Sequence, residues 1–136
     1  MDWFGVFRVS ASALEAQRER MNAIASNMAN AHSTRTAEGG PYKRKEVVFS
    51  AKEIESGSED LQGVEVSRVV EDQSKPTMVY DPGHPDADKN GYVAMPNVNV
   101  IEEMANMMMA TRAYEASVAA FNMSKSMVTK SFDIGR

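Results

Sequence analysis

Two stretches of the chain repeat apolar residues at helical spacing, and the segment between them does not. From residue 4 to residue 30, Phe7, Leu14, Met21 and Met28 fall seven apart, with Ile24, Ala11 and Ala25 flanking the same stripe. Such a repeat keeps one face of a helix apolar. Gln17 and Arg18 interrupt the stripe, while Arg8, Ser10, Glu15, Glu19 and Arg20 supply polar surface. Asn30 and His32-Ser33-Thr34 end the pattern, as expected of residues that favour caps and turns.

The second stretch, residues 97–134, has the stronger pattern. Steps of four and three from Val100 pass through Met104, Met107, Thr111, Tyr114, Val118, Phe121, Lys125 and Val128. Alternating spacing of this kind is that of a coiled-coil seam. Asn99 can cap the helix, with Glu102 completing an Asn/Glu capping box, and Gly135 marks its end. A helix of about 35 residues is on the order of 50 Å long, which is long for so short a chain.

Between the helices the periodicity falls to two. Tyr42–Ser50 reads as a strand with Val47 and Phe49 on one face, and Val64, Val66 and Val70 alternate with Glu65, Ser67 and Val69 as a second. Thr77–Tyr80 is a candidate third. Gly39-Gly40-Pro41, the polar run Glu55–Asp60 and the Pro/Gly/Asp-rich segment 81–91 separate them. The expected fold is mainly α with a small β segment: a helical zone over 1–34, a β/loop middle domain over 35–96 and a long helical zone over 97–136.

Composition narrows the functional classes. A formal charge of −4 and a single basic cluster, Lys43-Arg44-Lys45, offer no electrostatic footprint for nucleic acid. The chain has no cysteine, so disulfides, thiolate metal sites and cysteine nucleophiles are excluded. No apolar run is long enough for a membrane span, and no basic region precedes an apolar block at the N-terminus. The expectation is a protein that stays in the cytosol or leaves it without a cleaved signal.

The segment HPDADKNGYV, residues 84–93, imitates a calcium loop: Asp86, Asp88, Asn90 and Gly91 occupy positions 1, 3, 5 and 6. Position 12 is Asn97, which cannot supply the bidentate carboxylate that closes the coordination sphere. Pro82, Pro85 and Pro96 also replace the flanking helices that such a loop needs. A polar turn is the better reading, because Asp, Asn and Gly tolerate tight turns. A calcium-binding coiled-coil adaptor using the Asp86-Asp88-Asn90 loop is the alternative. His84 with Asp86 and Asp88 gives at most three ligands for a transition metal. No nucleophile elbow, phosphate loop or helix-borne His pair is present, so neither an enzyme nor a cofactor is expected. Of the eleven methionines, Met21, Met104 and Met107 suit a core, whereas Met108 and Met109 suit an adaptable interface.

Four runs carry a family resemblance: SASALEAQRERMNAIASNMANAHST at 10–34, GPYKRK at 40–45, HPDADKNGYVAMPNVN at 84–99 and EEMANMMMATRAYEASVAAFNMSKSM at 102–127. Together they resemble the bacterial flagellar basal-body rod proteins, most closely the proximal-rod kind. Matching positions are Ser26, Asn27, Ala29 and Asn30; Gly40, Pro41 and Tyr42; His84, Pro85, Asp86, Asp88, Gly91, Tyr92, Pro96, Asn97 and Asn99; and Arg112, Tyr114, Glu115 and Asn122. His32 and Arg35 depart from the plainer Ser/Thr of the family.

The resemblance implies a structural subunit of the rod, the drive shaft that crosses the periplasm and is needed for motility. It implies export by the flagellar type III apparatus without a cleaved signal. It implies self-assembly with other copies, with proximal and distal rod proteins and with the membrane-ring adaptor at the rod base, and no small-molecule substrate. The terminal helices would pair as an antiparallel-type coiled coil along Phe7, Leu14, Met21, Ile24, Met28, Met104, Met107, Tyr114, Val118, Phe121 and Val128.

Overall fold

A computed structural model describes residues 3–55 and 61–136. Apart from Glu55, the polar run expected to separate the first two strands lies outside the described residues. The elements are α1 (Trp3–Ala29), β1 (Lys45–Glu53), β2 (Gln62–Glu71), β3 (Thr77–Tyr80), β4 (Tyr92–Met95) and α2 (Val100–Ile134). β1 pairs antiparallel with β2, and β3 with β4, as two separate two-stranded sheets.

The two helices run antiparallel. Near the start of α1, the Phe7 and Phe121 rings lie 5.2 Å apart. Midway, the Thr111 hydroxyl lies 3.8 Å from the Met21 sulfur, and at the far end Asn27 meets Glu103 at 3.1 Å. Ala16, Ile24 and Ala110 are buried in this contact, and the small Ala110 lets the backbones approach. α2 begins where Asn99 accepts hydrogen bonds from the backbone N–H groups of Ile101 and Glu102, which satisfies donors that the first helical turn leaves unpaired. Being longer, α2 continues past the start of α1, leaving Phe132 and Ile134 exposed.

Several expectations need correcting. On α2 the buried line runs through Glu103 and Ala110, and Met104 is 52% exposed. The four-three track from Val100 is out of step there: the true track passes 103, 107, 110, 114, 117 and 121, sharing only some positions with the predicted one. On α1, Ala11 and Ala25 face solvent, whereas Ala16 and Asn27 are buried. The first strand starts at Lys45 rather than Tyr42, because residues 30–42 form turns closed by Tyr42 N–H to Ser33 O and Thr36 N–H to Gly40 O. β4 was not among the expected strands; it follows the 81–91 turn directly and pairs with β3 across it.

In the β1–β2 hairpin the pairing shifts between Val48 and Phe49, where Val48 faces Arg68 and Phe49 faces Val66, leaving Ser67 as an extra residue on β2. The bulge reverses the alternation. Val69, not Val70, therefore joins Val64 and Val66 on the face shared with Val47 and Phe49.

The hairpin is seated on α1 at Gly63. The Ser12 hydroxyl donates to Val9 O at 2.7 Å and accepts the Val64 N–H at 3.0 Å. A Cβ at Gly63 would stand 2.6 Å from that hydroxyl oxygen and 2.7 Å from Ile54 Cδ1. Gly63→Ala is expected to push the hairpin off the helix and to lower stability by about 1–3 kcal/mol. Urea unfolding followed by circular dichroism will read this as a lower midpoint.

Candidate functional site

Two polar side chains are buried in the helix pair: Asn27 is 0% and Glu103 1% exposed. Both lie at the end of the pair where the chain leaves α1 and enters α2. Every hydrogen-bonding position of the Asn27 amide is used. Its nitrogen donates to Lys45 O at 2.9 Å and to Glu103 Oε2 at 3.1 Å. Its oxygen accepts from Lys45 N–H at 2.8 Å and from the Tyr42 hydroxyl at 2.9 Å. Asn27 thus grips both polar atoms of the Lys45 backbone.

Glu103 Oε1 accepts from Arg44 Nε at 2.5 Å, and Arg44 also reaches Glu46 at 2.8 Å. Burial pulls the Arg44 guanidinium down, but hydrogen bonds and charges from Glu46 and Glu103 outweigh this and hold it above the ordinary arginine value. A second asparagine grips the adjacent backbone. Asn97 accepts Arg44 N–H at 2.9 Å and donates to Asp72 O and Ser74 O at 3.1 and 3.2 Å. One cluster therefore joins α1, α2, the start of β1, the end of β2 and the approach to α2.

The 84–91 turn is built on carboxylates directed at protein donors. Asp86 accepts from Thr34 Oγ1 at 2.6 Å and pairs with Arg35, tying the turn to the segment after α1. His84 Nδ1 accepts the Asp86 N–H at 3.0 Å. Asp88 accepts from the N–H groups of Asn90 and Tyr92 at 2.8 and 2.9 Å. Gly91 has φ of +83°, and a Cβ there would meet the Tyr80 ring at 2.9 Å, so glycine is required on both counts. Among the described residues, no three His, Asp or Glu side chains are grouped so as to hold a metal ion.

The family-matching positions therefore divide by environment. Ser26, Asn27, Tyr42, Asp86 and Asn97 make hydrogen bonds between segments, whereas Asn30, Asp88 and Asn99 hold local structure in the end of α1, the 84–91 turn and the start of α2. The Ser26 hydroxyl lies 3.2 Å from the Tyr42 hydroxyl, and the Asn30 amide donates to Ser26 O at 2.8 Å. Pro96 is buried, whereas Ala29, Pro85 and Arg112 face solvent. Arg112 pairs with Glu115 at 3.9 Å, an exposed contact of little energetic weight. Phe7, Leu14, Met21, Met28, Met107, Tyr114, Val118, Phe121 and Val128 are half-buried along the helix pair, and Ile24 is fully buried. Sequence reasoning missed Glu103 and Arg44. The available signal was a Glu one heptad before Ala110, on the track that carries Met107 and Tyr114.

On the side of α2 facing away from α1, Ile101, Met108, Met109, Met123, Met127 and Ile134 are all exposed, with Ala105, Ala116, Ala119 and Ala120 among them. Arg112, Glu115, Ser126 and Lys130 share that side, but a run of large exposed apolar side chains on one helix is a common mark of a surface that meets further protein. None of the described helices is long and apolar enough to cross a membrane.

Comparison with known proteins gives a consistent result. Residues 7–35 match the family described as Flagella basal body rod protein, and residues 89–133 match that described as Flagellar basal body rod FlgEFG protein C-terminal. The chain is 43% identical over 136 residues to the flagellar basal-body rod protein FlgC of Salmonella typhimurium, covering all of both chains. It is 41% identical over 150 residues to FlgC of Bacillus subtilis, again covering all of both. It is 40% identical to FlgC of Borreliella burgdorferi, covering 93% of each.

Replacing Arg44 with Met should strand the Glu103 carboxylate without its cation and cost about 3–5 kcal/mol, measured as the drop in unfolding free energy in urea. Acid should loosen the 84–91 turn. Hydrogen bonds from Thr34 and Arg35 hold Asp86 below the ordinary carboxylate range, and Ser74 does the same for Asp72. Their stabilisation is complete above about pH 4, the ordinary carboxylate value, and disappears as pH falls through the lowered values. Asp86→Asn should flatten that acid-side decline when melting temperature is followed from pH 7 to pH 3.

Proposed function

Since the chain belongs to the flagella basal body rod protein family, we propose that it is a subunit of the proximal rod, the part of the drive shaft nearest the cell membrane. Members of the family are structural components of the flagellar basal body, and this chain is a rod protein rather than an enzyme. In this reading it is made in the cytoplasm, exported by the flagellar type III apparatus, and polymerised in the periplasm with further copies, with other proximal and distal rod proteins and with the ring adaptor at the rod base. Residues 1–34 and 97–136 form the coiled-coil core of the rod wall, and residues 35–96 form the middle domain beside it.

The observation that carries this reading is the apolar outer face of α2. The α1 contact accounts for one side of α2 only. Ile101, Met108, Met123 and Met127 on the other side stay in water until another chain covers them. Covering each large side chain is worth roughly 1.5–3 kcal/mol, so an assembly gains what a lone subunit lacks. Methionine suits the task, because a flexible thioether adapts to neighbours that are not identical.

The test separates the two faces of α2. Met108→Asp and Met123→Asp, at positions 67% and 62% exposed, should leave expression and helical content intact, stop hook–basal bodies from forming and abolish swimming. Normal motility in both would overturn the reading. Phe121→Asp is the contrasting control. It breaks the stack on Phe7, so it should lower the stability of the subunit itself by about 3–5 kcal/mol.

A further inference from the structure

The heptad-spaced apolar contacts between α1 and α2 do not by themselves define a unique alignment. Phe7, Leu14, Met21 and Met28 recur every seven residues on α1, and Met107, Tyr114, Phe121 and Val128 do so on α2. Sliding one helix past the other by seven residues would again set apolar side chains against apolar side chains. Methionine, as the most deformable of these, would absorb the mismatch. The alignment must therefore be chosen by something that does not repeat.

We propose that the buried Asn27–Glu103 pair is the register key of the helix pair, and that Arg44 and Lys45 couple the position of the β1–β2 hairpin to that register. Neither Asn27 nor Glu103 has access to water, and each finds its partners only in the observed alignment. A slip that brings Leu14 opposite Phe121 would set Asn27 beside Ala110 and carry Glu103 beyond Ala29, the last residue of α1. Both groups would lose hydrogen bonds that nothing at the new positions replaces, the circumstance in which a buried polar pair discriminates between registers.

The hairpin enters the same choice. Arg44 Nε ends on Glu103 of α2, while the Lys45 backbone ends on Asn27 of α1. The strand start therefore has all its partners only when the two helices are correctly aligned. Register in turn fixes how far α2 projects beyond α1, and so where the exposed Phe132 and Ile134 lie. This inference concerns the subunit alone and does not depend on its place in the rod.

The absence of native cysteine allows a clean test on the purified full chain. Phe7→Cys with Phe121→Cys reports the native register after oxidation, and Leu14→Cys with Phe121→Cys reports a slip of one heptad. In the otherwise unaltered chain, only the native pair should cross-link. Adding Asn27→Leu with Glu103→Leu makes the seam apolar throughout. The slipped product should then rise by roughly tenfold or more relative to the native one, as expected when buried hydrogen bonds no longer discriminate. The Lys45 amide should also lose its protection from hydrogen exchange.

A triple variant with Arg44→Leu as well guards against harm from the stranded guanidinium. Cross-linking confined to the native pair in both the double and the triple variant overturns the proposal. So does a slipped product in the unaltered chain, or its failure to form the native cross-link. Loss of helical signal in both variants overturns it too, since that would make the pair a requirement for folding rather than a selector of alignment.

Discussion

The Glu103 carboxylate lies between two helices where water does not reach it, so the protein itself must meet its charge. It does so with Arg44 from the strand and Asn27 from the opposite helix. A buried ion pair contributes little net stability once desolvation is counted, and an apolar substitute of the same volume often does as well. What it offers in return is geometric exclusiveness. Arg44 and Asn27 can satisfy Glu103 in one arrangement of α1, α2 and the hairpin, and the rest of the subunit is organised around that arrangement.

The two asparagines extend the same logic to the backbone. The chain leaves α1, turns through residues 30–42 and enters β1, and a strand start has N–H and C=O groups that need partners. Asn27 serves Lys45, and Asn97 serves Arg44. Asparagine suits this position because its amide carries donor and acceptor side by side, matching a peptide group. Aspartate would lack the donors for Lys45 O and Glu103, and would place a second negative charge beside the buried carboxylate.

How much of this was legible in the sequence follows from which signals are local. Both helices were readable, because their apolar repeats persist over many turns. So was the turn at 84–91, where Asp, Asn and Gly announce their conformation. The phase of the α2 seam was misread at its start. A hydrophobicity rule prefers Met104 to Glu103, and only the distant partners Asn27 and Arg44 make a buried glutamate tolerable. The face of Val69 and Val70 was misread for a related reason: the bulge at Ser67 appears only in the pairing with β1. Asp86 was noticed for its resemblance to a metal ligand, yet its partners come from Thr34 and Arg35, some fifty residues earlier. In each case the missing information was a contact between residues far apart along the chain.

The outer face of α2 gives the polar cluster its wider consequence. An apolar surface is undirected: it favours burial against many neighbours in many orientations. Left alone, a helix with methionines and alanines on the side facing away from its partner specifies contact but not geometry. The cluster at the far end constrains rotation and sliding within the subunit, so the outer methionines project from a fixed frame. Specificity in the proposed polymer then requires little of the methionines themselves. It requires that successive subunits present the same frame, and a buried charge that tolerates one alignment supplies that requirement.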